Sequence, residues 1–112
     1  MTRRVDKPWG HEEVWAESLH YVGKILYINE GFRLSRQYHL KKEETFRVLK
    51  GEMILEINEG DDLLEIHMKE GDVFHCPPLT VHRMCAIMDV EVLEVSTNHL
   101  DDVVRIEDDY GR

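Results

Sequence analysis

One regular spacing constrains this chain more than any other feature. Gly31 is followed by Gln37, His39, Glu44 and Gly51, and a second block runs Gly71, Pro77, His82. Gln37 and His39 stand two apart, so in an extended strand their side chains share a face. Glu44 and His82 arrive from other extended segments. Two imidazoles, a carboxylate and an amide oxygen form a borderline-hard donor set, suited to Zn, Mn, Fe, Co or Ni rather than to Ca or Mg.

The segments between these blocks read as strands. Apolar, β-prone runs punctuated by glycine recur at Glu13 to Ala16, Tyr21 to Ile28, Leu34 to His39, Thr45 to Leu49, Met53 to Ile57, Leu63 to Met68, Val73 to Cys76, Val81 to Met88 and Val90 to Val95. Asn58 to Asp62 reads as a hairpin connection, and Glu30-Gly31 and Glu70-Gly71 as further turns. Only the tail from Asn98 to Ile106 suggests a short helix, with Asn98 as its cap. The expectation is an all-β chain, a small barrel or sandwich, and 112 residues make it one domain.

Charge narrows the partners. Fourteen Lys and Arg against 23 Asp and Glu give −9, which repels polyanions, so no nucleic acid is expected. Lys24, Arg33, Arg36, Lys41, Lys42, Arg47 and Arg83 nevertheless gather near the ligand blocks and can serve a small anion. No run is long enough to span a membrane and no apolar stretch follows Arg3, Arg4 and Lys7, which predicts a cytoplasmic chain. Cys76 and Cys85 form no CxxC pair and read as reduced buried thiols.

The two blocks resemble the paired motifs of the cupin superfamily, with Gln37 in place of the first His and Leu79 in place of a turn glycine. That resemblance implies a single-domain cupin over 1–112, a small double-stranded β-helix or jelly roll. It comprises an N-terminal arm and first strand at 7–20, motif 1 at 31–51, motif 2 at 71–86 and a C-terminal tail at 98–112. At Leu79 a different turn shape is expected, stiffened by Pro78.

The ends sharpen the resemblance. Lys7-Pro8-Trp9-Gly10 with Glu13-Val14, the Leu34-Ser35-x-Gln37-x-His39 strand, Val81-His82-Arg83, and the Asp101 to Arg112 tail resemble the type II mannose-6-phosphate isomerase domain of the bifunctional mannose-1-phosphate guanylyltransferase and mannose-6-phosphate isomerase family. Leu40, Lys41, Phe46 and Leu79 depart from that pattern. The six residues before Lys7 leave no room for a nucleotidyltransferase half, so guanylyltransferase activity is not expected.

The resemblance implies a sugar-phosphate isomerase serving nucleotide-sugar biosynthesis. It would bind one divalent metal, Zn first among the candidates, through Gln37, His39, Glu44 and His82, and interconvert mannose 6-phosphate and fructose 6-phosphate through an enediolate. Arg83 is then the catalytic or substrate-binding residue and Lys24 a phosphate ligand. In a regular strand Arg83 points away from the metal, where its other role is pairing with Glu107 to Asp109. The general base is open among Glu13, Glu52 and metal-bound water. Two alternatives stand beside the isomerase: a non-haem Fe dioxygenase using His39, Glu44 and His82, and a non-catalytic sugar-binding or regulatory cupin. Trp9, Trp15 and the methionines read as packing residues, and outward Val73 beside His75 suggests a homodimer sharing a β edge.

Overall fold

In a computed structural model, residues 2–99 and 101–112 are described, and they form eleven strands and no helix. The order is β1 (Arg3–Lys7), β2 (Gly10–Glu17), β3 (Tyr21–Ile28), β4 (Arg36–Tyr38), β5 (Glu44–Lys50), β6 (Glu52–Glu59), β7 (Asp62–Lys69), β8 (Val73–Cys76), β9 (Val81–Ala86), β10 (Val90–Thr97) and β11 (Val104–Glu107). Two antiparallel sheets result, ordered β1-β2-β3-β10-β5-β8 and β11-β4-β9-β6-β7. This is the all-β sandwich that the runs allow and the jelly roll that the cupin resemblance implies.

Two expectations change. The segment 98–106 contains no helix among its described residues, Leu100 lying outside them; instead Val104–Glu107 joins β4 as an edge strand. The strand over Leu34 to His39 contracts to three residues, and His39 begins the loop leading to β5. The hairpin expected at Asn58 to Asp62 forms with Glu59 opposite Asp62, and Gly60, at φ 60, takes the positive φ that a two-residue loop needs.

Strand alternation decides what each sheet sends inward. From β5 come Glu44, Phe46 and Val48; from β6, Met53, Leu55 and Ile57; from β9, His82, Met84 and Ala86; and from β10, Val90, Val92, Glu94 and Ser96, all buried. The interior is therefore divided. Phe46, Val48, Met53, Leu55, Val90 and Val92 belong to a continuous apolar core. His39, Lys42, Glu44, His82 and Glu94 are the buried polar side chains that build the site described next.

Candidate metal centre and its anion pocket

Three side chains from two sheets converge. His39 from the β4–β5 loop, Glu44 from the start of β5 and His82 from β9 place one donor atom each within 4.8 Å of one another, all buried. Glu44 Oε2 lies 3.4 Å from His39 Nε2 and 3.3 Å from His82 Nε2. Phe46, stacked on Phe74, walls the site with its ring centroid 5.8 Å from that of His82.

The backbone fixes which nitrogen each ring presents. His39 Nδ1 lies against the Asp102 carbonyl oxygen and His82 Nδ1 is 2.8 Å from that of Thr80. A ring nitrogen facing a carbonyl must carry the hydrogen, so Nε2 is the nitrogen each ring turns towards Glu44, as a lone pair when the ring is neutral. His39 Nε2 is buried with no hydrogen-bond partner. An orphaned imidazole nitrogen beside a buried carboxylate and a second imidazole is what a divalent cation would satisfy.

The electrostatics agree. Burial disfavours ionised Glu44, yet His39, His82 and Lys42 hold its carboxyl far below the ordinary carboxylate range. Burial likewise works against a charged His82, but its contacts with Cys76 and Glu44 prevail and push it up to about 10. His39 moves upward too, burial being outweighed chiefly by Glu44. The cluster attracts positive charge, which two protons or one divalent metal can supply.

Gln37 is half-buried beside this trio. It faces His82 directly across the β4–β9 pair, and its Oε1 accepts a hydrogen bond from Ser35 Oγ at 2.6 Å. It lines the same cavity as His39.

Asp102 is a supporting residue that spacing alone does not reveal. Besides the carbonyl contact to His39, its carboxylate accepts the backbone N–H groups of Leu40, Lys41 and Lys42 at 2.9, 2.7 and 2.9 Å. Those bonds, Leu40 first, lower its carboxyl to about 2. From the other side Leu79 N–H donates to His39 O at 2.7 Å. The turn there keeps a left-handed shape, Leu79 itself adopting φ 68, contrary to the altered turn expected from the missing glycine. A bond to the ligand loop holds leucine in a conformation it disfavours.

The cavity opening from His39 and Gln37 is strongly basic for so acidic a chain. Lys7, Lys24, Lys42, Arg105 and Arg112 line it, together with the carboxylates Glu12 and Glu94. Lys24 pairs with Glu12 at 3.2 Å, and Lys42 bridges Glu44 at 3.0 Å and Glu94 at 3.3 Å. Lys7 and Arg105 have no carboxylate partner among the described residues. Burial first, with Lys24, Arg112 and Arg105 adding to it, depresses the Lys7 pKa against the opposing pull of Glu12.

The other cations face elsewhere. Arg83 is buried but lies on the outward side of β9. Its Nε donates to Leu34 O at 2.8 Å and its Nη2 to Asp109 at 3.2 Å, with Glu107 at 3.6 Å from Nη1. The assignment of Arg83 to catalysis or substrate binding is therefore corrected: regular alternation turns it from the metal, and the tail neutralises it. Arg33 pairs with Asp109, and Arg36 with Glu56 and Glu107. Neither Glu13 nor Glu52 lines the cavity; Glu52 lies 3.5 Å from His67. Glu94 and Glu12 are the cavity carboxylates, and their phase with inward Val92 and Val14 was the available signal.

Comparison with known proteins decides the family. The model described as mannose-6-phosphate isomerase C-terminal matches residues 1–108. The chain belongs to this family. XanB, a xanthan biosynthesis protein of Xanthomonas campestris pv. campestris, is 30% identical over 115 aligned positions that cover 98% of this chain and 24% of XanB. A 3-hydroxyanthranilate 3,4-dioxygenase of Ruegeria pomeroyi is 32% identical over 76 residues, 67% of this chain and 40% of that enzyme. This mannose-6-phosphate isomerase C-terminal domain thus spans less than half of each. KdgF from Halomonas sp. superposes with a TM-score of 0.78 at 20% identity, covering 88% of this chain and 90% of KdgF, which supports the fold alone. The architecture is that of a cupin.

Proposed function

We propose that this chain is a metal-dependent sugar-phosphate isomerase that interconverts mannose 6-phosphate and fructose 6-phosphate. The observation that carries the reading is the cavity itself. It reaches the His39–Glu44–His82 cluster at His39 and carries five cationic side chains against two carboxylates in a protein of net charge −9. A phosphorylated sugar with a carbonyl at one end and an anion at the other matches that polarity. Family membership and the likeness to a polysaccharide-biosynthesis protein support the same substrate class.

His39 and His82, each through Nε2, and Glu44 would hold the metal, with Gln37 as fourth ligand; Zn is the proposed ion. Bound there, it supplies Lewis acidity towards the sugar's carbonyl oxygen. The chain's own residues do the rest. Lys7 and Arg105, free of carboxylate partners among the described residues, would receive the phosphate, with Arg112 and Lys24 adding to the field. Asp102 and Thr80 fix the imidazole tautomers. Trp9 and Leu26 keep one wall of the cavity apolar.

A second reading has its own support. Two imidazoles and one carboxylate are the ligand set of non-haem Fe oxygenases, and the Ruegeria relative is a dioxygenase. Assaying the metal-loaded chain with mannose 6-phosphate, and separately following oxygen uptake with 3-hydroxyanthranilate, divides the two. Isomerisation without oxygen uptake is expected. Oxygen uptake without isomerisation would replace the first reading with the second.

A further inference from the structure

Glu94 is the one cavity carboxylate linked through a single side chain to the metal-type cluster. It comes from the middle of β10, in phase with Val90 and Val92, where alternation would place another apolar residue. A buried charge at such a position is costly unless paired. Its Oε2 accepts one hydrogen bond, from Lys42 Nζ at 3.3 Å, and the same ammonium lies 3.0 Å from Glu44 Oε1. The two carboxylates are thus bridged by one nitrogen, which limits their separation to about two hydrogen-bond lengths. No described residue donates to Glu94 Oε1, and the residue lines the cavity alongside His39 and Gln37. Across the sheet Glu94 faces Lys24, and Lys24 ties down Glu12 at 3.2 Å. Glu12 is therefore one residue further from the cluster, behind a lysine.

Resting on the isomerase reading above, we propose that Glu94 is its general base, moving the substrate proton between C1 and C2. In the forward direction the Glu94 carboxylate takes the proton from C2 of the open-chain aldose. The C2–H electron pair becomes the C1=C2 bond and the carbonyl pair moves onto O1. Glu94, now a carboxylic acid, returns the proton to C1 while the O2 hydroxyl gives its proton to O1 through water, leaving a C2 carbonyl. No oxidant or reductant enters. Lys42 holds Glu94 Oε2 and so orients Oε1 towards the cavity. Lys42 is a positioning residue and Glu94 a catalytic one.

Glu94→Gln tests this, because the amide oxygen can still accept from Lys42 while the base is gone. The wild type, loaded with Zn or Mn, is assayed for isomerisation and for exchange of the C2 hydrogen of mannose 6-phosphate with deuterated solvent. In Glu94→Gln both rates should fall about a hundredfold or more, the usual worth of a positioned base. Metal per chain and the binding of mannitol 6-phosphate, which has no carbonyl, should be unchanged. An active wild type with a Glu94→Gln variant within about threefold of it overturns the proposal and leaves the isomerase reading standing. A wild type that shows neither isomerisation nor exchange fails the isomerase reading itself, and the role of Glu94 falls with it. Glu94→Asp, which keeps a carboxylate, should recover part of both rates and covers the case in which the amide variant does not fold; Glu94→Asp exchanging no faster than solvent alone counts against the base.

Discussion

Replacing Arg83 by Ala should unfold the protein more easily without disabling its site, and the expected size follows from what Arg83 touches. The side chain is 1% exposed, whereas its acidic partners Asp109 and Glu107 are 39% and 59% exposed and can return to water when it is removed. The loss therefore lies in two other places. Leu34 O, which accepts from Nε at 2.8 Å, is left without that donor, a cost of about 1.5 kcal/mol for a charge-assisted bond. The two methylenes that Ala lacks forfeit about 1.6 kcal/mol of burial. Nη1, buried without a hydrogen-bond partner, offsets a little of this by disappearing. A net loss of about 3 kcal/mol corresponds to a melting temperature lower by roughly 10 °C or somewhat more for a chain of this size. Arg83→Met, which keeps most of the stem, should lose about half as much. Thermal melts followed by circular dichroism measure both. Well below the melting temperature, kcat for isomerisation should stay within about threefold of wild type while KM rises, because the loosened tail carries Arg105 and Arg112. A hundredfold fall in kcat with metal content and fold intact would refute the placement of Arg83 outside the chemistry.

The loops and edges carry four further expectations. Leu79→Gly should keep its metal and gain up to about 1 kcal/mol, relief of the left-handed φ outweighing the added chain entropy, whereas Leu79→Val should lower the denaturation midpoint. Asp102→Ala should weaken metal binding about tenfold or more in a chelator competition, because the three N–H bonds that shape the loop beyond His39 are lost. With its carboxyl at about 2 in the fold, Asp102 stabilises fully above the unfolded value near 3.9, and this contribution fades as pH falls through about 2; the wild-type advantage over Asp102→Ala should vanish across that window and persist at neutral pH. Exposed Val73 on edge strand β8 leads us to expect a homodimer pairing along that edge, so light scattering at micromolar concentration should give twice the chain mass.

Much of this architecture is legible in the residues because it rests on alternation and on a spacing that only one geometry satisfies. Tyr21 to Ile28 and Val73 to Cys76 appear with the bounds expected of them. His39, Glu44 and His82 meet because the jelly roll sets the β4–β5 loop and the start of β5 against β9 of the facing sheet. What escaped was set by contacts distant in sequence. The last strand, Val104–Glu107, is amphipathic only weakly, and its pairing with β4 depends on Arg36 and Arg83 needing carboxylates. For the same reason Arg33, Arg36 and Arg83 read as available for a phosphate, while the carboxylates that occupy them lie in the tail and, for Arg36, also at Glu56 on β6. Asp102 carries no spacing signal, since its role comes from three backbone groups sixty residues away or more. Glu94 was within reach: strict alternation along β10 puts it inside with Val90 and Val92, and a carboxylate in that phase calls for a reason.

On this reading the His39–Glu44–His82 cluster is a metal centre serving the cation-lined cavity beside it. That role is tested most directly by stripping the protein with a chelator and titrating Zn or Mn back while following mannose 6-phosphate isomerisation. The rate should be absent at the start, climb in proportion to added metal, level off at one equivalent per chain, and stay flat throughout in His82→Ala. Full isomerisation by the stripped protein, or one tightly held equivalent with no turnover of mannose 6-phosphate, would contradict it.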